Sequence, residues 1–203
     1  MKKILILLCL LIPTLSFGLV HEIASEFSYD KKIYGLSREN SNVNRTYGGA
    51  FSTYILDYTA IDLNFAYSQD ISTENTRYSV TNGIDVVGQQ NRLKTHVFGI
   101  GIKQIFAPRT ARLIPGVSVG YAKEFVNYQS DLTVEDVPTG TRVTIGQGEV
   151  KMRQDSVFGT FSLQLRLTNK FSIRGSVRTL FPAFEFNKAR DNLKYSAGFS
   201  WVF

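Results

Sequence analysis

The side chains with the most chemistry to offer sit at alternate positions among small polar neighbours. Glu26, Ser28 and Asp30 alternate, as do Arg174, Ser176 and Arg178, and Lys194 with Ser196; Asp62, Lys103, Glu124 and Arg166 stand in similar stretches. In an extended chain such spacing puts them on one face of a strand. A face that carries both signs of charge and is shut away from water is tolerated only when its charges are paired and hydrogen-bonded, since an unpaired one costs several kcal/mol. The set Glu26, Asp30, Asp62, Lys103, Glu124, Arg166, Arg174, Arg178 and Lys194 is therefore expected to form an ion-paired filling of an interior. The alternative is a polar conduction path.

Other chemistry has thinner support. His96 is followed by Val97 and Phe98, so no His-x-Ser arrangement suggests a hydrolase, and the one other histidine, His21, is distant in sequence. Two separated histidines without cysteine make no zinc cluster. "GIGIK" at Gly99 and Gly101 opens no helix and so is no phosphate loop. "NRT" at Asn44 matches a glycosylation acceptor and carries little weight. No cofactor is implied. Basic residues are spread out rather than interleaved densely with aromatics, which argues against a nucleic-acid surface.

The first 18 residues differ from the rest. "KKILILLCLLIPTLSFG" has two lysines, an apolar run and small residues, with Ser16 and Gly18 placed for cleavage after Gly18. That is the pattern of a secretory signal peptide over residues 1–18, leaving one domain over 19–203. A lipoprotein reading would make Cys9 the acylated residue, but Leu8 is too large to precede it. Cleavage removes Cys9, the single cysteine, and lowers the formal charge from +6 by the two lysines Lys2 and Lys3. Disulfides then contribute nothing to the exported chain.

The elements that must position the charged face are strands. Ile61, Leu63, Phe65 and Tyr67 oppose Asp62, Asn64, Ala66 and Ser68; Phe98, Ile100 and Ile102 oppose Val97, Gly99, Gly101 and Lys103; Phe161, Leu163, Leu165 and Leu167 oppose Ser162, Gln164 and Arg166. Leu193, Tyr195, Ala197, Phe199, Trp201 and Phe203 oppose Lys194, Ser196, Gly198 and Ser200. A helix would scatter these residues around its surface. Short connections fall at 56–59, 107–110 and 168–170, and longer polar ones at 35–45, 70–92, 126–153 and 183–191. Eight strands with alternating long and short turns form an antiparallel up-and-down meander with its long loops at one end. A soluble sandwich or lipocalin-like barrel would bury its bulky face. Here the bulky face is the more uniform one, and eight strands enclose room only for side chains, so the bulky face is expected outside against lipid. In lipid every backbone group must be paired, which requires the sheet to close.

With those residues in place the chain resembles the small outer-membrane barrels of Gram-negative bacteria, the OmpA/OmpX-like superfamily. The resemblance covers about Glu22 to Phe203 as a pattern, and its most specific part is the terminal strand. By that resemblance Tyr195, Phe199, Trp201 and Phe203 form a C-terminal signal recognised by the barrel assembly machinery, the short turns are periplasmic and the long loops extracellular. It implies a monomeric, multi-pass outer-membrane protein of structural or surface-interaction role, in contact with lipid and lipopolysaccharide and without catalytic residues. A small pore is the competing expectation, and a lipid A-modifying enzyme, as some relatives are, a weaker one.

The loops carry further patterns. "TRYSVTNGIDVVG" places alternating arms, including Tyr78 and Val80, about Asn82-Gly83, the signature of a type I′ hairpin. Leu132 and Val134 are expected to face Val143 and Ile145 across a turn near Pro138 to Gly140. Such hairpins can recruit an extracellular protein by edge pairing. Arg38, Arg45, Arg77, Arg92 and Lys188 could meet lipopolysaccharide phosphates.

Overall fold

The computed structural model describes residues 19–81, 83–183, 185 and 192–203; the predicted signal segment, Asn82 and Lys188 lie outside the described residues. Eight long strands make the wall: β1 (Val20–Tyr34), β2 (Asn40–Tyr54), β3 (Thr59–Glu74), β5 (Ile84–Ile105), β6 (Leu113–Asp136), β8 (Val150–Arg166), β9 (Phe171–Pro182) and β10 (Leu193–Val202). Two short ones, β4 (Tyr78–Thr81) and β7 (Thr141–Gly146), are added beyond it. Pairing runs β4-β5-β3-β2-β1-β10-β9-β8-β6-β7, and β5 also pairs with β6. The ring is closed by β1 against β10 and every neighbour is antiparallel.

The wall has the expected polarity. Ile23, Phe27, Phe51, Leu63, Ile100, Phe161 and Trp201 are exposed, whereas Ala24, Ser52, Asp62, Lys103, Ser162, Arg174 and Ser200 are buried. Phe181 departs from the pattern: it pairs with Val157 in the outward register yet is buried. The outward face changes character along two adjacent rows. Phe27, Tyr47, Tyr67, His96 and Phe125 pair side by side, and one step further out stand Tyr29, Arg45, Gln69, Lys94, Asn127 and Lys151. Ring contacts of 5.1 Å for Phe27 with Tyr47 and 4.9 Å for Tyr67 with His96 knit the inner row. Aromatics followed at once by amides and cations mark the boundary between hydrocarbon and headgroups. At the opposite end Phe203 packs on His21 at 5.7 Å, and their backbones exchange bonds of 3.0 and 2.9 Å, which fastens the seam.

Strand lengths are uneven. A tilted strand crosses a bilayer in about 9–11 residues, but β5 has 22 and β6 has 24. Their outer parts, in the long connections where the sequence suggested protruding hairpins, continue as paired strand from Ile84 opposite Asp136 down to Asn91 opposite Ser130. With β4 and β7 added they form a four-stranded sheet standing above the wall. Thr81 pairs with Ile84, and Gly83 has φ +88°, a backbone conformation glycine adopts freely. Leu132 pairs with Ile145 and Val134 with Val143. The two hairpin tips are tied by Val137 N donating to Gly83 O at 2.8 Å.

Candidate functional site

The interior is layered from the short-turn end upward. Tyr54, Ala60, Ile105 and Ile114 form an apolar floor with Val20 and Ala111 against it. Above it Glu22, 1% exposed, accepts from Lys103 Nζ at 2.7 Å, from Tyr54 Oη at 2.7 Å and from Gln164 Nε2 at 2.6 Å. Lys103 is equally buried. Asp62 is held by hydroxyls and an amide instead: Ser52 at 2.7 Å, Ser118 at 2.8 Å and Asn64 at 2.9 Å. Next, Arg174 Nε lies 2.9 Å from Glu26 Oε1 as an ion pair without hydrogen-bond alignment, while Ser176 and Ser196 donate to Glu26 Oε2 at 2.9 and 3.0 Å.

Phe158, fully buried, lies across the barrel at this point with Ala66, Val97 and Ala122. Glycine makes room for its ring: a Cβ on Gly101 would fall 2.8 Å from it and one on Gly120 2.7 Å, closer than real contacts come. Above Phe158 the filling stops. A cavity of about 260 Å³ is lined by Glu26, Glu124, Arg178 and Lys194 together with Ala66, Leu93, Val97 and Leu180. Arg178 covers the Phe158 ring at 5.0 Å.

The charged residues picked out by register thus divide by depth. Lys103, Asp62 and Arg174 belong to the bonded lower interior and Glu124, Arg178 and Lys194 to the cavity, while Glu26 belongs to both, paired with Arg174 and lining the cavity. Two stand apart from both groups. Asp30 is exposed at the outer mouth, 3.6 Å from Lys32, and Arg166 lies at the short-turn end, donating to Arg109 O at 3.3 Å. Alternation assigns a face but not a height, and these two occupy opposite rims. Glu22, which accepts from Lys103, and Tyr54, which donates to Glu22, were missing from the expected charge set; the signal for Glu22 was its even spacing from Glu26.

His96 stands on the outer surface between Tyr67 and Phe125, away from the interior charges. Among the described residues no group of three or more His, Cys, Asp or Glu side chains is placed to hold a metal. Of the loop arginines, Arg77 is clasped by Asp85 at 2.6 Å and Glu135 at 3.2 Å, and Arg92 lies 3.8 Å from Asp131. Hydrogen bonding to Arg77 holds the Asp85 carboxyl below its ordinary range. Arg45 lies over the Tyr29 ring at 5.9 Å, in the polar row beyond the aromatic belt.

A closed antiparallel ring, apolar outside and polar within, with short turns at one end and long hairpins at the other, defines an eight-stranded transmembrane β-barrel of the outer-membrane type. It crosses the outer membrane many times, with the long hairpins extracellular. One solved structure agrees in fold. The chain is similar to the N-terminal β-barrel domain of OprF from Pseudomonas aeruginosa, with a TM-score of 0.50 and 13% identity over 92% of this chain and 98% of that one. It is also similar to Ail, the attachment invasion locus protein of Yersinia pestis, crystallised with a heparin analogue, at TM-score 0.42 and 14% identity over 91% and 97% of the two chains. For CarO of Acinetobacter baumannii the values are 0.42 and 13%, over 89% and 95%. No protein-family model and no curated protein sequence matches the chain.

Proposed function

We propose that the chain is an integral outer-membrane protein that meets an extracellular protein through its projecting sheet, while its lower interior blocks conduction. Residues 1–18 direct export, and the terminal strand with Tyr195, Phe199, Trp201 and Phe203 engages the assembly machinery. The barrel works as a monomer, with Arg45, Lys94 and Lys151 facing lipopolysaccharide phosphates just above the aromatic row.

The observation that carries the surface reading is the contrast between the two edges of the projecting sheet. Open edges attract other strands unless a bulge, a charge or a proline spoils them. The β4 edge is only 4 residues long and irregular between Ser79 and Thr81. The β7 edge is regular over 6 residues, "TRVTIG", pairs on one side alone and is exposed throughout. Its single charge, Arg142, is engaged by Glu135 at 2.7 Å across the sheet. Such an edge suits addition of an extended segment, with Val143 and Ile145 available to its side chains.

The test replaces Thr141–Gly146 with a Gly-Ser segment of equal length and measures adhesion of expressing cells to immobilised extracellular-matrix and serum proteins. Adhesion of the parent that falls to background in the variant, at equal surface amounts, supports the reading. Undiminished adhesion refutes it.

A further inference from the structure

The upper interior has the wrong balance of bonds for a passive filling. Both carboxylates on the cavity wall already accept hydrogen bonds: Glu26 from Ser176 and Ser196, with Arg174 against it, and Glu124 from the hydroxyl of Ser156. The cations of the cavity form no ion pair among the described residues. Arg178 Nε and Nη2 are buried there without a hydrogen-bond partner among those residues, as Arg174 Nε and Nη1 are, but Arg174 lies on Glu26. Lys194, exposed along β10, donates to Ser68 Oγ at 3.3 Å. Buried polar atoms nearly always find partners, and those that do not point to an absent ion, water or ligand. The same wall carries Ala66, Leu93, Val97 and Leu180, so it offers an apolar body a place beside the two cations.

The seam gives this cavity a side opening. β1 pairs with β2 along its whole length, from Val20 opposite Tyr54 to Tyr34 opposite Asn40. Its pairing with β10 stops at Phe27 opposite Ala197, although β10 goes on to pair with β9 as far as Leu193 opposite Thr179. A groove fills the gap, lined by Ser28 and Lys194 of the cavity and by Tyr29 and Tyr195 of the outward register. Phe27 belongs to the aromatic row at the headgroup boundary, so the gap begins where amphiphiles of the outer leaflet have their polar ends.

We propose that the upper half of the barrel is a binding cup for a small amphiphilic anion, its acidic group held by Arg178 and Lys194 and its apolar part against Leu93, Val97 and Leu180. The cup is slightly below the roughly 300–1,000 Å³ of drug-sized sites, which restricts it to a short-chain ligand.

Octanoate is the probe, with 1-octanol and inorganic phosphate as controls, measured by equilibrium dialysis against the folded protein in nanodiscs with empty nanodiscs subtracted. Saturable octanoate binding is expected. Arg178→Met combined with Lys194→Met should weaken it on the order of tenfold or more, the value of a charge-assisted hydrogen bond. Leu93→Trp, which fills the cup from a partly exposed wall position, should abolish it and serves if the charge variant fails to fold. Neither control should displace octanoate at equal concentration. No saturable binding, or equal binding by wild type and a folded variant, overturns the proposal; competition by octanol removes the role of the cations, and competition by phosphate removes that of the apolar wall.

Discussion

Below Phe158, Glu22 is bonded to a lysine, a tyrosine and a glutamine, and Arg174 lies against Glu26. Above it, Arg178 is buried with two nitrogens unpartnered among the described residues, and Lys194 reaches only Ser68 there. Both halves are lined by the same kinds of residue at the same alternate register. What differs is ion pairing: Lys103 lies on Glu22 and Arg174 on Glu26, although Arg174 too keeps two nitrogens without hydrogen bonds among the described residues. Arg178 and Lys194 have no ion pair among those residues and leave a place for something else. One barrel can thus be closed at its base and receptive at its top.

The difference is sharpest in the two lysines. Replacing Lys103 with Met strands the Glu22 carboxylate at a site 1% exposed, which should cost about 3–5 kcal/mol. Adding Glu22→Gln should return most of that loss. Lys194→Met removes a cation that supports no bonded carboxylate and should change stability by less than about 1 kcal/mol. Urea unfolding followed by fluorescence of Trp201 measures all three. Equal costs at the two sites would erase the distinction between the halves.

The second test sets the wall against its terminal residue. The backbone of Phe203 bonds to His21 whatever its side chain, so Phe203→Ala should still refold in detergent. In cells the same variant should give less folded, heat-modifiable protein in the outer membrane. Wild-type amounts there would remove the assembly role given to the ring.

Much of the wall was legible because a two-residue period needs no tertiary information: Leu63, Ile100 and Trp201 could be assigned outward from their neighbours alone. The charged interior was less legible. Asp30 and Arg166 have the inward register but sit at opposite rims, since height depends on strand tilt and stagger, which alternation does not encode. Glu22 meets Lys103 across 81 positions, and that contact requires the closure of β1 on β10 with a particular shear. The side gap at Ser28 has no sequence signature, because it is a place where two regular strands part.

The smallest expected effect concerns the projecting sheet against the membrane-embedded wall. The Asp85 carboxyl, hydrogen-bonded by Arg77, titrates below its ordinary value of 3.8. A lowered folded value means that the clasp stabilises the sheet fully above that ordinary range and loses its effect as pH falls through the lower one. Amide protection in β4 and the outer part of β5, taken relative to the intrinsic exchange rate at each pH, should therefore fall below about pH 4 while that of the wall strands holds. Unchanged protection at about pH 3 would mean that Arg77 and Asp85 do not hold the sheet in place.

Conductance in planar bilayers tests the central claim, an interior sealed at its base, most directly. Wild-type barrels should show no resolved current steps across a range of voltage and salt, whereas Tyr54→Ala with Glu22→Ala, which opens the floor beneath Lys103, should conduct. Steady single-channel openings from the wild-type protein would contradict the account.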